Sequence, residues 1–163
     1  MAIDKKATLT YVQLMKEDLA VFRLVPEDGI IPDYEAGQFI TVGMPIPSED
    51  NKVVRRAYSM ASHPENKRFI ELVVRWVRRP LPGRVTTALF NSGEGDEVSW
   101  IPPTGVALKI NEKMGDGTKD DRRIVCVSGG TGIAPFMSFA RHLRAIGDKR
   151  EIVCLHGSSY VDE

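Results

Sequence analysis

Apolar and polar positions alternate in short runs through the first two thirds of the chain. Positions 8–15 and 19–25 are β-rich and are broken by Lys16-Glu17-Asp18, which predicts a hairpin. Pro26, Gly29, Pro32 and Gly37 punctuate a loop, after which 38–43 predicts a third strand and 44–52, with two prolines and three charges, a surface loop. A fourth strand is predicted over 55–62, with a turn at 62–66. The run 69–77 is nearly all apolar before its arginines, so it predicts a strand lying centrally in a sheet. A rigid loop, Arg78-Arg79-Pro80-Leu81-Pro82-Gly83, leads to a short helix over 84–91. A sixth strand over 96–101 is expected to stop at Pro102-Pro103. Six short strands with one short helix predict an antiparallel β-barrel over residues 1–111.

Past that point the periodicity changes. Residues 112–122 are charged, contain glycine and show no period, and predict a linker or exposed loop. The run 123–127 is a continuous apolar β segment, and Ser128-Gly129-Gly130-Thr131-Gly132 is a turn. Over 133–146, Phe136, Phe139, Ala140 and Leu143 fall at helical spacing, Gly147 ends the helix, and 151–156 predicts a second strand of buried type. This is a parallel βαβ unit occupying 123–163. A doubly wound sheet needs more strands than two, so the α/β part is expected to be incomplete, with exposed apolar edges. Those edges would be covered by further chain or by self-association.

Composition adds limits. Apolar residues at 42% and charged residues at 27% suit a globular protein, and 22 bases against 22 acids leave no global field to draw nucleic acid or a membrane. Between 52 and 84, however, nine bases face two acids. That excess suits a phosphorylated cofactor or an acidic partner, or else a solvated basic face. No apolar run approaches membrane-spanning length and the first residues lack a signal-like core, so a cytoplasmic protein is expected. Cys126 and Cys154, each inside an apolar run, are expected to be buried and reduced. His63, His142 and His156 lack carboxylate or cysteine neighbours at ligand spacing, so no metal site is expected, and His142 is placed facing solvent.

Three stretches carry candidate chemistry. In Arg55-Arg56-Ala57-Tyr58-Ser59-Met60-Ala61-Ser62, strand spacing sends Arg56, Tyr58, Met60 and Ser62 to one side, and Ala57, Ser59 and Ala61 to the other. A guanidinium, a flat aromatic and a hydroxyl within four residues suit a flat anionic ligand such as a flavin nucleotide; an exposed barrel edge would give the same pattern. In Pro82-Gly83-Arg84-Val85-Thr86-Thr87, a glycine before a helix start offers free N–H groups to phosphate, or is ordinary capping. In Gly129-Gly130-Thr131-Gly132-Ile133-Ala134-Pro135, glycines between a strand and a helix form a pyrophosphate cradle, or a tight turn that needs positive φ.

In this order and spacing, the three stretches resemble the ferredoxin/flavodoxin–NADP reductase family, in which an FAD-binding antiparallel barrel precedes a Rossmann-like NADP-binding domain. The likeness covers nearly the whole chain. It implies that Arg56 pairs with the FAD pyrophosphate, that Tyr58 stacks on the isoalloxazine with Ala57 beside it, and that Ser59 lies near flavin N5, making Tyr58 and Ser59 the residues nearest the chemistry. It further implies flavin contacts from Val73, Val74 and Arg75, and phosphate contacts from Gly83, Arg84, Val85 and Thr86. The NADP side would be formed by Gly130, Thr131, Gly132, Ile133, Ala134 and Pro135, with Ser158 and Ser159 favouring NADP over NAD.

The resemblance implies electron transfer between NADPH and a ferredoxin or flavodoxin, docked on the basic stretch. The family's later cysteine region and C-terminal tail have no counterpart here. The alternatives are an FAD-binding module without turnover and the reductase component of an oxygenase. No cysteine cluster for an iron–sulfur centre accompanies the latter.

Overall fold

The computed structural model describes residues 4–104 and 108–158. Strands β1 (Lys5–Lys16), β2 (Leu19–Pro26), β3 (Phe39–Ile46), β4 (Lys52–Ser59), β5 (Ile70–Arg75) and β6 (Glu97–Thr104) form one antiparallel sheet in the order β4-β3-β6-β1-β2-β5. A single antiparallel bridge between Met60 and Leu72 joins the two ends of that order and curls the sheet into a barrel. The six strands are those the alternation predicts.

Each strand turns one set of residues inward. Along β2, Ala20, Phe22 and Leu24 are buried while the residues between them are half-exposed. They meet Leu9, Ile40, Val42, Leu72, Val74 and Trp100 in one core. Phe22, fully enclosed, contributes about 1.5–3 kcal/mol by leaving water. Helix α1 (Arg84–Phe90) plugs the barrel with Val85 and Leu89. Phe90 lies edge-on to Phe22 at 5.7 Å and stacks on Trp76 at 5.4 Å.

Three local expectations are corrected. The loop expected over 44–52 is mostly ladder, because Met44, Pro45 and Ile46 pair with Val54, Val53 and Lys52. Pro45 is tolerated because this end of β3 has no β6 neighbour, and the turn closes on Asp50 and Asn51 at positive φ. Strand β6 does not stop at Pro102-Pro103. The register slips there, with Phe39 opposite Thr104 and Thr41 opposite Ile101, so the prolines sit in a bulge that does not need their missing N–H groups. Strand β5 is not central: among the described residues its one ladder is with β2.

The second unit is β7 (Ile124–Gly129), a 3-10 turn (Gly130–Ile133), α2 (Ala134–Ile146) and β8 (Ile152–Gly157), with β7 and β8 parallel. Pro135 sits in the first turn of α2, and Gly147 closes it in the left-handed region. Phe139 and Leu143 face inward, but Ala140 is exposed, contrary to its expected place on the apolar face. α2 covers β7 better than β8. Cys126 is buried, which pushes its thiol pKa up, whereas Cys154 is exposed, a correction to its expected burial. On the opposite face Val125, Val127 and Leu155 are exposed. No helix among the described residues is long and apolar enough to cross a membrane.

Candidate functional site

Beyond the Met60–Leu72 bridge, β4 and β5 diverge, and the gap between them is a cleft of about 690 Å³. Arg56, Ala57, Tyr58 and Ser59 of β4 line one side, and Val73, Val74 and Arg75 of β5, with Val77, the other. Gly83, Arg84, Val85 and Thr86 form its floor. Thr131 and Gly132, from the turn before α2, and Ala134, the first residue of α2, close the far wall. A volume of this size lies in the range of small-molecule and cofactor sites. The structure thus brings together at one cavity residues from all three stretches singled out in the sequence. Gly130, Ile133 and Pro135 belong to the same turn but do not line it, and Ser158 is exposed beyond β8. Ser159 lies outside the described residues. Val77 lines the cleft although no sequence pattern marked it.

The expected facing of β4 holds only in part. Arg56 is exposed and Tyr58 half-buried, but Met60 and Ser62 are buried, because the strand dives into the core where it meets β5. Tyr58 packs against the barrel core and also walls the cleft. Burial pushes its phenol up to about 12, against a lowering by the Arg56 charge, so it stays protonated at ordinary pH. Its hydroxyl is enclosed and has no hydrogen-bond partner among the described residues, an orphaned polar group at the edge of the cleft.

The cleft's three arginines differ. Arg84 is bound to Glu49 by two contacts of 2.9 Å, and Arg75 to Asp18 at 2.9 Å. Arg56 gives one N–H to the Arg55 carbonyl at 2.8 Å and has no carboxylate partner among the described residues. It is therefore the cleft cation left to meet an anion.

Backbone groups add to this. Glu71 turns its N–H to Ser62 Oγ (3.1 Å) and its C=O to the Ala61 N–H (2.8 Å), both away from β2. By strand alternation Val73 turns its N–H and C=O the same way, toward β4, and the Met60–Leu72 bridge beside it is the last pairing before the two strands part at the cleft. At the floor, α1 starts without a side-chain cap. The Thr86 hydroxyl donates to the Gly83 carbonyl at 3.0 Å. A Cβ on Gly83 would come within 2.6 Å of Thr86 Oγ1, so only glycine fits this turn as built. Gly130 takes φ of 49°, the positive value of a tight turn, whereas a Cβ on Gly132 would enter open space at the cleft wall. The donor set, a guanidinium with no carboxylate partner among the described residues, an aromatic wall and an uncapped helix start, fits a flavin dinucleotide.

The basic stretch is less positive than the sequence suggests. Arg55, Lys67, Arg75, Arg78 and Arg84 pair with Asp4, Asp33, Asp18, Glu17 and Glu49, all from outside 52–84. His142, expected to face solvent, is half-buried with Nδ1 at 2.7 Å from Glu65 Oε1, and His63 Nδ1 lies 2.8 Å from Glu65 Oε2. No group of three or more His, Cys, Asp or Glu that could hold a metal ion occurs among the described residues.

Comparison with known proteins places the fold and the family. The chain is 33% identical over 141 residues to a flavohemoprotein of Halalkalibacterium halodurans, covering 84% of this chain and 32% of that one. It is 30% identical over 133 residues to a ferredoxin–NADP reductase of Azotobacter vinelandii, covering 80% and 46%. It thus spans about a third to a half of the length of these relatives. Among solved structures, the FAD/NAD-binding domain of a nitric oxide dioxygenase from Vibrio cholerae superposes with a TM-score of 0.82 at 24% identity, over 98% of this chain and 64% of that one, a likeness of fold. The oxidoreductase FAD-binding domain family matches residues 6–107, from the first strand through the last strand of the barrel, and the chain belongs to that family.

Proposed function

We propose that the cleft between β4 and β5 holds FAD and that the chain serves electron transfer between NADPH and a one-electron carrier of the ferredoxin or flavodoxin kind. The observation that carries the reading is the convergence of Arg56, Tyr58, Val73, the 83–86 turn and Thr131 on one cavity. Bound there, FAD would supply hydride exchange with nicotinamide on one side and single-electron release on the other. Arg56 would neutralise the pyrophosphate, Tyr58 would offer a flat wall, and Ser59, next along the strand, would present its hydroxyl to the ring. Thr131, Gly132 and Ala134 would form the side that NADPH approaches, with Ser158 and Ser159 further along the parallel sheet.

Among the described residues no carboxylate or histidine lines the cleft, and the Tyr58 phenol holds its proton, so these residues bind and orient rather than act as strong acids or bases. The division at 1–111, 112–122 and 123–163 assigns FAD to the barrel and NADPH to the parallel unit. The acceptor would meet the basic side of the barrel. With five of its bases neutralised, that dock is weaker than the sequence count implies, and the reductase component of an oxygenase remains the second reading.

Purified protein loaded with FAD is expected to be yellow and to bleach on anaerobic addition of NADPH. A yellow protein that NADPH leaves unbleached would reduce the function to an FAD-binding module without turnover.

A further inference from the structure

Three groups of α2 hold it on the barrel. Phe139 packs on Gly37, where a Cβ would come within 2.7 Å of the ring. Arg141 donates to the Ala61 carbonyl at 2.8 Å and to Glu71 Oε1 at 2.6 Å, and His142 meets Glu65. The Arg141 contact differs from the others in where it lands. Ala61 and Glu71 are bonded to each other through their backbones, next to the Met60–Leu72 bridge, so they form the apex from which β4 and β5 spread to make the cleft. Glu71 is a barrel carboxylate with its side chain only 4% exposed. Its other oxygen accepts from Arg23 at 2.8 Å, and the Arg23 guanidinium is itself held over the rings of Tyr11 and Phe69. Burial pushes the Glu71 carboxyl up, and the Arg141 and Arg23 charges overcome this and leave its pKa below the ordinary value.

The far wall of the cleft, Thr131, Gly132 and Ala134, runs from the 3-10 turn into the first residue of the same helix. From Ala134 to Arg141 is two turns of a rigid rod, about 10 Å. We propose that Arg141 is a positioning residue: by bolting α2 to the β4–β5 apex, it fixes how far the Thr131–Ala134 wall stands from the Tyr58 wall, and so sets the width of the cleft on the side where the nicotinamide nucleotide enters. The inference rests on the function proposed above for its consequence in turnover, while its structural content is independent of it. Arg141 touches neither wall; it acts through the helix.

Removing Arg141 leaves Glu71 still paired with Arg23, so the barrel keeps its buried charge compensated. Both bonds leave one nitrogen, Nη1, so lysine at 141 keeps the charge and the donors but on a shorter stem, and is expected to restore the contact in part. Arg144, exposed on the same helix, serves as the control for loss of charge.

The test compares Arg141→Ala, Arg141→Lys and Arg144→Ala with the parent chain. In protein without added nucleotide, amide exchange over 131–134 is expected to speed up about tenfold in Arg141→Ala, less in Arg141→Lys and not in Arg144→Ala, with Phe22 and Leu24 unchanged. In FAD-loaded protein, Arg141→Ala is expected to raise the KM for NADPH about tenfold while FAD affinity and kcat stay within about threefold. Unchanged exchange at 131–134, or equal acceleration at Phe22 and Leu24, would overturn the assignment. Because the exchange arm needs no flavin, accelerated exchange in a chain that binds no FAD would keep the positioning role and defeat the functional reading alone.

Discussion

Replacing Arg56 with alanine is expected to weaken FAD binding by about 10- to 100-fold, the loss of a charged hydrogen-bonded contact worth roughly 1.5–3 kcal/mol. The same change at Arg84, whose guanidinium is already committed to Glu49, is expected to cost less than about threefold. The contrast follows from ion pairing rather than from distance, since both side chains line the same cavity. Fluorescence titration of FAD against the two variants measures it. Equal losses at both positions would mean that the Glu49 pair does not hold Arg84 back from the ligand and that Arg56 has no special place. The Arg56 effect should shrink as salt is added, because the side chain is exposed.

Changing Gly37 to alanine is expected to destabilise the fold by about 2–4 kcal/mol, from two costs acting together. Gly37 takes φ of 89°, where side chains are strained, and a Cβ would lie 2.5 Å from the Leu108 carbonyl oxygen and 2.7 Å from the Phe139 ring. Neither neighbour is free to yield. The carbonyl belongs to the backbone, and Phe139, 4% exposed, is packed against Ala36 and Cys126. Gly95, at φ of 96° with nothing within 4 Å, isolates the backbone cost, which should be near 1 kcal/mol. Urea unfolding of the two variants separates the terms. If Gly37→Ala costs no more than Gly95→Ala, α2 does not press on the barrel as described.

The pattern of the chain was informative where one strand face meets one core. The alternation of 19–25 is enough to place Ala20, Phe22 and Leu24 inward, and the switch to helical spacing after Gly132 is enough to find α2. The barrel, the short helix and the parallel unit were all legible on that ground. What could not be read depends on partners far along the chain. Arg75 and Arg84 look like free cations until Asp18 and Glu49, 57 and 35 residues away, are folded against them. Glu65 lies beside His63 in sequence, but its second histidine is 77 residues on.

The Pro102-Pro103 pair reads as a stop because the bulge that accommodates it is set by the register against β3. The run in β5 reads as central because nearly every position before its arginines is apolar. One face is indeed core, but the strand edge borders the cleft, so its composition reports burial without saying by what. The three stretches that resemble a flavin-and-nicotinamide site did converge, since the barrel's closure at Met60 and Leu72 leaves the β4–β5 gap directly above the 83–86 turn. The facing of Met60 and Ser62 was misjudged for the same reason, as closure draws that end of the strand inward.

Amide hydrogen exchange with and without saturating FAD tests most directly whether the β4–β5 cleft is the flavin site. Slowed exchange is expected at the uncapped helix start over 84–86, with no change around the separate cavity lined by Ile110, Arg122 and Phe136. FAD that binds without protecting 84–86, or that protects the second cavity instead, would contradict the placement.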